Sequence, residues 1–321
     1  MGMENLVTGH TTGFELTLVK QTDGSKLWQE IYEYPQTGFS FIHLDLSNQY
    51  VGEANAVVAF IQFPCVTNPN LLCSFRLAEG LGYVSTPFDR VENHKNLTAS
   101  THINAAIQVM ADTRFKISKT LFFNLSYGIT HFSNGSFKVP NLGINNISLN
   151  GGLTYQFSKP DTFYKPKIPD LDRHWLFDLA YGFGVKENIQ FISEQYFAHS
   201  FYFSFLKPVS HKSMLGIGGD VFYDLSLIQF LDPAITTDIS TKIIRGGAHV
   251  SYELVINKLT VLLHMGVYVV DRLNLDGSFY HRIGLKYQVG KHLFANLTLK
   301  SHFARADYVE LGAGWRIWPH P

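Results

Sequence analysis

The sequence predicts an all-β fold: an antiparallel transmembrane β-barrel of the outer-membrane type, with about 14–16 strands in one barrel or, as the alternative, two tandem 8-stranded barrels. Three observations carry this. Two-residue alternation of apolar and polar side chains recurs almost everywhere, whereas apolar spacing at i, i+3, i+4 persists across no long window. Aromatics make up 14% of the 321 residues and there are 26 glycines, a composition of many strands and turns. No run of about 18 apolar residues occurs, which excludes a transmembrane helix but not a barrel, whose alternating strands average to neutral hydropathy. The 26 basic side chains balance 26 acidic ones, so nothing favours nucleic acid.

Taken in order, the alternating segments fall at 12–20, 27–35, 38–48, 54–63, 72–85, 99–117, 120–133 and 144–157. A second set follows at 173–187, 196–207, 212–226, 240–257, 259–270, 278–289, 291–303 and 306–318. Leu121, Phe123, Leu125, Tyr127 and Ile129 share one face of the seventh segment, and Phe122, Asn124, Ser126, Gly128 and Thr130 lie on the other, mostly small or polar one. In the ninth, Trp175, Phe177, Leu179, Tyr181, Phe183 and Val185 oppose Asp178, Ala180, Gly182, Gly184 and Lys186. In the fourteenth, Phe279, Ile283, Leu285, Tyr287 and Val289 oppose Ser278, Arg282, Gly284, Lys286 and Gln288. A soluble sandwich would alternate too, but many of these segments reach the length that crosses a bilayer at a tilt, about 9–11 residues. Backbone groups in lipid must all be paired, which closed barrels achieve. The apolar faces are therefore expected toward lipid and the polar faces toward a lumen.

The connections support that choice. ISKT at 117–120, VSHK at 209–212, NK at 257–258 and VGK at 289–291 are short and fall on one side, as periplasmic turns do. PFDRVENHKN, SLIQFLDPAITTD and the stretch HFSNGSFKVPNLGIN at 131–145 fall on the other. An even strand count with this parity puts both termini in the periplasm. The last segment ends GAGWRIW, closing on the aromatic Trp318, as assembly signals of such barrels commonly do by resemblance. SKPDTFYKPKIPDLD at 158–172 breaks the parity with a long, proline-containing turn. It is the candidate boundary between a first half, 1–157, and a second, 173–321, which completes the barrel or forms its own. LFFNLSYGITHF at 121–132 and LFANLTLKSHF at 293–303 echo one another, as a duplication would leave them. The N-terminal MGMENLVTGHTTG lacks a secretory signal pattern, so either a signal has been removed or the protein is not exported. Cys65 and Cys73 could close a loop in an oxidising compartment or stay unpaired thiols.

The chemistry concentrates in HFSNGSFKVPNLGIN. Extending the strand register places His131 and Ser133 on the lipid-facing side. In the returning strand, Asn145 shares the face of Ile147, Leu149, Leu153, Tyr155 and Phe157. A polar trio on an apolar face needs an explanation. A serine becomes a nucleophile when an imidazole takes its proton and a third group fixes the imidazole tautomer. Two residues apart on one strand face, His131 and Ser133 have Cα atoms roughly 6.5–7 Å apart, within bridging range. Asn145 could orient the ring from the neighbouring strand. Oxyanion donors are available in the backbone N–H groups around Asn134 and Gly135 and in the Asn141 carboxamide, with Gly135 and Gly143 permitting the turns. Such a set reads as a serine ester hydrolase whose substrate lies in the membrane.

This stretch resembles the signature of the lipid A 3-O-deacylase family, PagL-like acyloxyacyl hydrolases, over about residues 10–157. The resemblance implies an outer-membrane barrel that releases an ester-linked acyl chain from lipopolysaccharide, with the site on the outside of the barrel and no cofactor. Ser133 would be the nucleophile and His131 its base, while Asn141 and the amides near Asn134 would serve the oxyanion hole. The family's best-known members carry a glutamate where this chain has Asn145, so the imidazolium would lack a charged partner. Lipid A and other outer-membrane lipids are the expected partners. Elsewhere, His302 is expected in the lumen, with Ala304 where a serine would be needed, and Glu310 with Arg316 as a lumen charge network. HExxH, CxxC, GxSxG and a phosphate-binding glycine loop are all absent from the sequence. Two other readings stand beside the deacylase: a non-catalytic channel or structural barrel, and a phospholipase using the same trio.

Overall fold

The computed structural model describes residues 9–158, 160, 162–188, 194–234, 237–303 and 305–317; Ala304 and Trp318, singled out above, lie outside them. Among the described residues, fifteen strands form two separate sheets, one of seven strands and one a closed barrel of eight. The tandem arrangement is thus the one that fits. The chain divides into two compact units: residues up to Asn134 with Pro140–Ile168, and Gly135–Val139 with the chain from Pro169 onward.

The first unit is a meander of β1 (Thr12–Gln21), β2 (Gln36–Asp45), β3 (Glu53–Thr67), β4 (Leu71–Val84), β5 (Ile103–Lys116), β6 (Leu121–Ser133) and β7 (Ile144–Tyr155). Each strand pairs antiparallel with the next, and β1 and β7 are the edges. The segment 27–35, expected as a strand, is instead the short helix α1 (Leu27–Ile31) followed by a left-handed turn at Glu33 and Tyr34. Leu27, Trp28, Ile31 and Tyr32 recur at helical spacing, too briefly for a wide window to register. Removing one strand changes the parity: β1 starts at the same end of the sheet as the β6–β7 loop, against the even-count expectation.

Alternation sorts the two faces as the sequence predicted. Leu16, Leu81, Ile103, Tyr127, Ile147, Leu149 and Leu153 are exposed on one side. Ala54, Val58, Ala106, Met110 and Phe132 are buried on the other, among Ser40, Arg76, Asn104, Gln108 and Thr130. The sheet is curled enough for Glu15 on β1 to reach Arg76 on β4, 2.7 Å away, and to accept from the Gln108 amide on β5 at 3.2 Å. Both cysteines are free thiols.

The second unit closes on itself through β8 (Leu176–Lys186), β9 (Tyr196–Pro208), β10 (Ser213–Asp224), β11 (Ile244–Ile256), β12 (Leu259–Val270), β13 (Phe279–Gln288), β14 (Leu293–His302) and β15 (Arg305–Arg316), with β15 pairing β8. A 3₁₀ turn (Leu225–Phe230) and α2 (Ile239–Ile243) occupy the β10–β11 connection. Apolar side chains such as Ile217, Val250, Met265, Ile283 and Leu311 are exposed on its outside. Its lumen is filled by paired charges: Arg282 with Asp220 and Glu310, Lys286 with Asp178 at 2.8 Å, and Arg316 bidentate on Asp178 at 2.7 Å. His302 is buried there too, its Nε2 2.8 Å from the Tyr268 hydroxyl.

Candidate functional site

The β6–β7 hairpin positions the polar trio by register. His131 and Asn145 are directly opposed across the ladder, as are Ile129 and Ile147. His131 and Ser133 alternate with the buried Thr130 and Phe132, so both face the side that carries the exposed Tyr127, Ile147 and Leu149. Neither is fully covered, and Asn145 is exposed. On the other flank, Ser133 stands opposite Ala105 and His131 opposite Ile107 of β5.

The imidazole is fixed at one nitrogen: His131 Nδ1 lies 2.7 Å from Asn145 Oδ1. A carboxamide oxygen only accepts, so Nδ1 carries the proton and Nε2 of the neutral ring is left as an acceptor. Ser133 Oγ accepts from Asn141 Nδ2 at 2.8 Å, while Asn141 Oδ1 accepts from the Asn134 backbone N–H at 3.2 Å. One carboxamide thus bridges the serine hydroxyl and the following backbone amide. Asn134 is itself held by its side chain, whose Nδ2 donates to Ser100 Oγ at 3.0 Å and Thr101 Oγ1 at 3.2 Å. Gly135 continues the turn with φ of +63°.

Gly143 does more than permit a bend. Its φ is +78°, and a Cβ there would sit 2.6 Å from His131 Cε1. The missing side chain is the surface on which the imidazole rests. Gly143 N–H donates to Thr98 O at 2.9 Å and Leu142 N–H to Leu97 O at 3.1 Å, so the 97–101 loop backs the hairpin. The sequence marked Gly143 as a turn residue, but neither its packing role nor the support from Thr98, Ser100 and Thr101 was visible, because nothing local links those segments. His131, Ser133 and Asn145 are brought to one end of the hairpin by strand register, with Asn134 and Asn141 in the loop that joins the two strands.

Two family models match: "Lipid A 3-O-deacylase (PagL)" over residues 12–154 and "Acyloxyacyl hydrolase, C-terminal domain" over residues 175–319. The chain belongs to the PagL family. PagL membership makes it an outer-membrane β-barrel protein of a hydrolase family that acts on lipid A esters. No curated protein matches the chain. Solved structures similar to it include a mutant of the Rhodopseudomonas blastica porin, at 11% identity over 96% of this chain and 91% of the porin, with a TM-score of 0.21. Another mutant of that porin is 9% identical over 96% and 99%, with a TM-score of 0.20. Likeness that slight carries no argument beside the PagL match.

Proposed function

We propose that this PagL relative is a serine esterase that removes an ester-linked acyl chain from lipid A, using Ser133, His131 and Asn145 on the lipid-facing surface of its first unit. In this reading residues 1–157 are the deacylase half, 158–172 a periplasmic connection and 173–321 a second barrel half. The observation that carries it is the His131 Nδ1 to Asn145 Oδ1 bond beside Ser133, made on a mostly apolar face that also carries the His43–Asn55 pair. It sets the one tautomer in which Nε2 can take a proton from the serine.

The Ser133 hydroxyl attacks the acyl carbonyl carbon while its proton passes to His131 Nε2. The Asn141 Nδ2 donor, already beside the serine oxygen, and the N–H groups of Gly135 and of Asn134, the latter on leaving Asn141 Oδ1, stabilise the oxyanion. Collapse breaks the ester C–O bond, and the leaving sugar oxygen takes the proton back from the imidazolium. Water, deprotonated by His131, then hydrolyses the acyl-serine to a free fatty acid. A substrate whose acyl chain already lies against Tyr127, Ile147 and Leu149 reaches this centre without leaving the membrane.

Mass spectrometry of lipid A from matched cells tests this. Wild type is expected to yield lipid A lighter by one acyl chain, and Ser133→Ala the intact form. An unchanged acyl pattern with wild type ends the reading, and fatty acid released from phospholipid alone would move the substrate to the phospholipase alternative. The paired charges that fill the second unit's lumen speak against a pore there.

A further inference from the structure

We propose that Glu79, a carboxyl group on the lipid-facing side of β4, selects the substrate by accepting a hydrogen bond from an N–H or O–H group beside the scissile ester, as an acylated amino sugar presents. The inference rests on the esterase reading and deepens it, since it names the lipid chemistry that the surface around Ser133 discriminates.

Strand register turns Glu79 outward. Along β4 it alternates with the buried Arg76 and Ala78, and its own face runs Phe75, Leu77, Glu79, Leu81 and Tyr83. Phe75, Leu81 and Tyr83 are exposed, and Glu79 is half-buried. Apolar and aromatic side chains thus continue on both sides of the carboxyl, which places it within the band that faces hydrocarbon. Among the described residues, the other acids on the outward face of these seven strands, Asp45 and Glu53, stand at strand ends.

The protein leaves this carboxyl unanswered. The two histidines of the same face are each held by a carboxamide, His43 by Asn55 at 2.8 Å and His131 by Asn145 at 2.7 Å, and Ser133 accepts from Asn141. Glu79 has no hydrogen-bond or ion-pair partner among the described residues. An ionisable group turned to hydrocarbon is costly unless it is paired, and function is the default reason for keeping one. Its partner then has to come from the lipid.

Its position says which lipid group. Glu79 stands opposite Ile107 of β5, and Ile107 opposite His131 of β6, so carboxyl and imidazole share one row across three strands. Two strand spacings of about 4.7–4.9 Å put their Cα atoms roughly 9–10 Å apart. The diagonal from Ser133 to Glu79 crosses β5 between Ile107 and Ala105, so a methyl group borders it on one side, and Ala59 of β3 faces Glu79 with another. A lipid with one acyl carbonyl at Ser133 lays its neighbouring chain over Ile107, with that chain's linkage toward Glu79. An amide linkage, or a hydroxyl near the chain's carbonyl, donates to the carboxylate. Beside its esters a glycerophospholipid offers ester and phosphate oxygens, which only accept and would face the carboxylate with lone pairs. A site built to bond a substrate N–H or O–H rejects the analogue that lacks it, because the protein group is then left unpaired.

The test compares Glu79→Leu, which removes the acceptor, with Glu79→Gln, whose carboxamide oxygen still accepts. Four lipids are offered in detergent micelles: an N,O-diacylglucosamine phosphate with hydroxylated chains, the same lipid with plain chains, its O,O-diacylglucose counterpart with plain chains, and phosphatidylcholine. Affinity is read by calorimetry in a Ser133→Ala background, which needs no turnover, and kcat/KM by fatty acid released from the protein that keeps Ser133. The donor-bearing lipids are expected to be preferred, and Glu79→Leu to shrink that preference roughly tenfold or more in both readouts, with phosphatidylcholine unmoved and Glu79→Gln retaining most of it. A loss shared by the plain-chain amide lipid assigns the bond to the amide, and a loss confined to hydroxylated chains assigns it to the hydroxyl. Heat-dependent gel migration reports folding, and Glu79→Ala repeats the measurement without adding a longer side chain. An affinity ratio that is the same with and without the carboxyl, or a loss spread equally over all four lipids, would overturn the proposal. Preferential binding with no cleavage of any of the four would sink the esterase reading alone.

Discussion

At the scale of single residues, the unusual feature of the candidate centre is that an amide stands behind the histidine. Asn145 can hold the tautomer but could not share the positive charge that the proposed mechanism places on the ring. Asn145→Leu removes the Nδ1 acceptor and is expected to lower kcat by about 10²-fold or more with little change in KM. Asn145→Glu restores a charge and is expected to raise kcat. Both are read by quantifying released fatty acid in detergent-lipid micelles, and equal rates for wild type and Asn145→Leu would show that the carboxamide does not serve the reaction. Gly143→Ala puts a methyl group 2.6 Å from His131 Cε1 at a φ of +78°. It should displace the ring and cut activity severely while the barrel still shows heat-dependent migration. His131, Ser133 and Asn145 were legible in the sequence because period-two register decides which residues share a face, and Asn141 only as a polar group of the intervening loop. Gly143's contact and the Asn134 side-chain anchors were not, since they depend on how separate loops meet.

The element scale is where sequence reading was strongest and where it also slipped. Each of the fifteen strands overlaps a segment foreseen from alternation, because a wall with apolar lipid on one side and a polar lumen on the other forces that pattern. The error at 27–35 has the opposite cause: α1 lies in a connection, where no wall imposes a period. Its Gln29 side chain accepts from the Lys26 backbone N–H at 3.3 Å, a local cap that outweighs the weak strand pattern. The face assignment of β7 can be probed by one pair of substitutions. Leu149 is 69% exposed on the outer face, whereas its neighbour Asn150 turns inward. Leu149→Lys is expected to destabilise the folded protein by about 2–4 kcal/mol in bilayers, and Asn150→Lys by far less. Urea titrations in vesicles measure this, and the reverse order would invert the register on which the proposed trio depends.

For the whole chain, the two units solve the interior differently. The first lines its inner face with apolar side chains such as Val58, Met110 and Phe132 and with uncharged polar groups, among which Arg76 pairs with Glu15 and Asp112, and the second packs a charge network into a closed lumen. Arg282 is fully buried between Asp220 and Glu310. Removing it as Arg282→Ala leaves two buried carboxylates without their cation, and a loss of about 3–5 kcal/mol follows. The unfolding midpoint of the heat-modifiable band should fall accordingly, and an unmoved midpoint would mean that water already reaches the lumen. Sequence indicated that Glu310 and Arg316 point inward but not that they answer to different partners, Arg282 and Asp178, because lumen pairing joins strands far apart in the chain.

The edges of the seven-stranded sheet set a rule of polarity. With six antiparallel steps between them, β1 and β7 run in the same sense, so joining them directly would require a parallel seam. A lone strand threaded between them in the opposite sense would meet each with the perpendicular ladder used everywhere else in the unit. In hydrocarbon, where stranded amide groups find no water, whatever seals that gap is held to this direction and to an alternation that turns its greasy side chains outward.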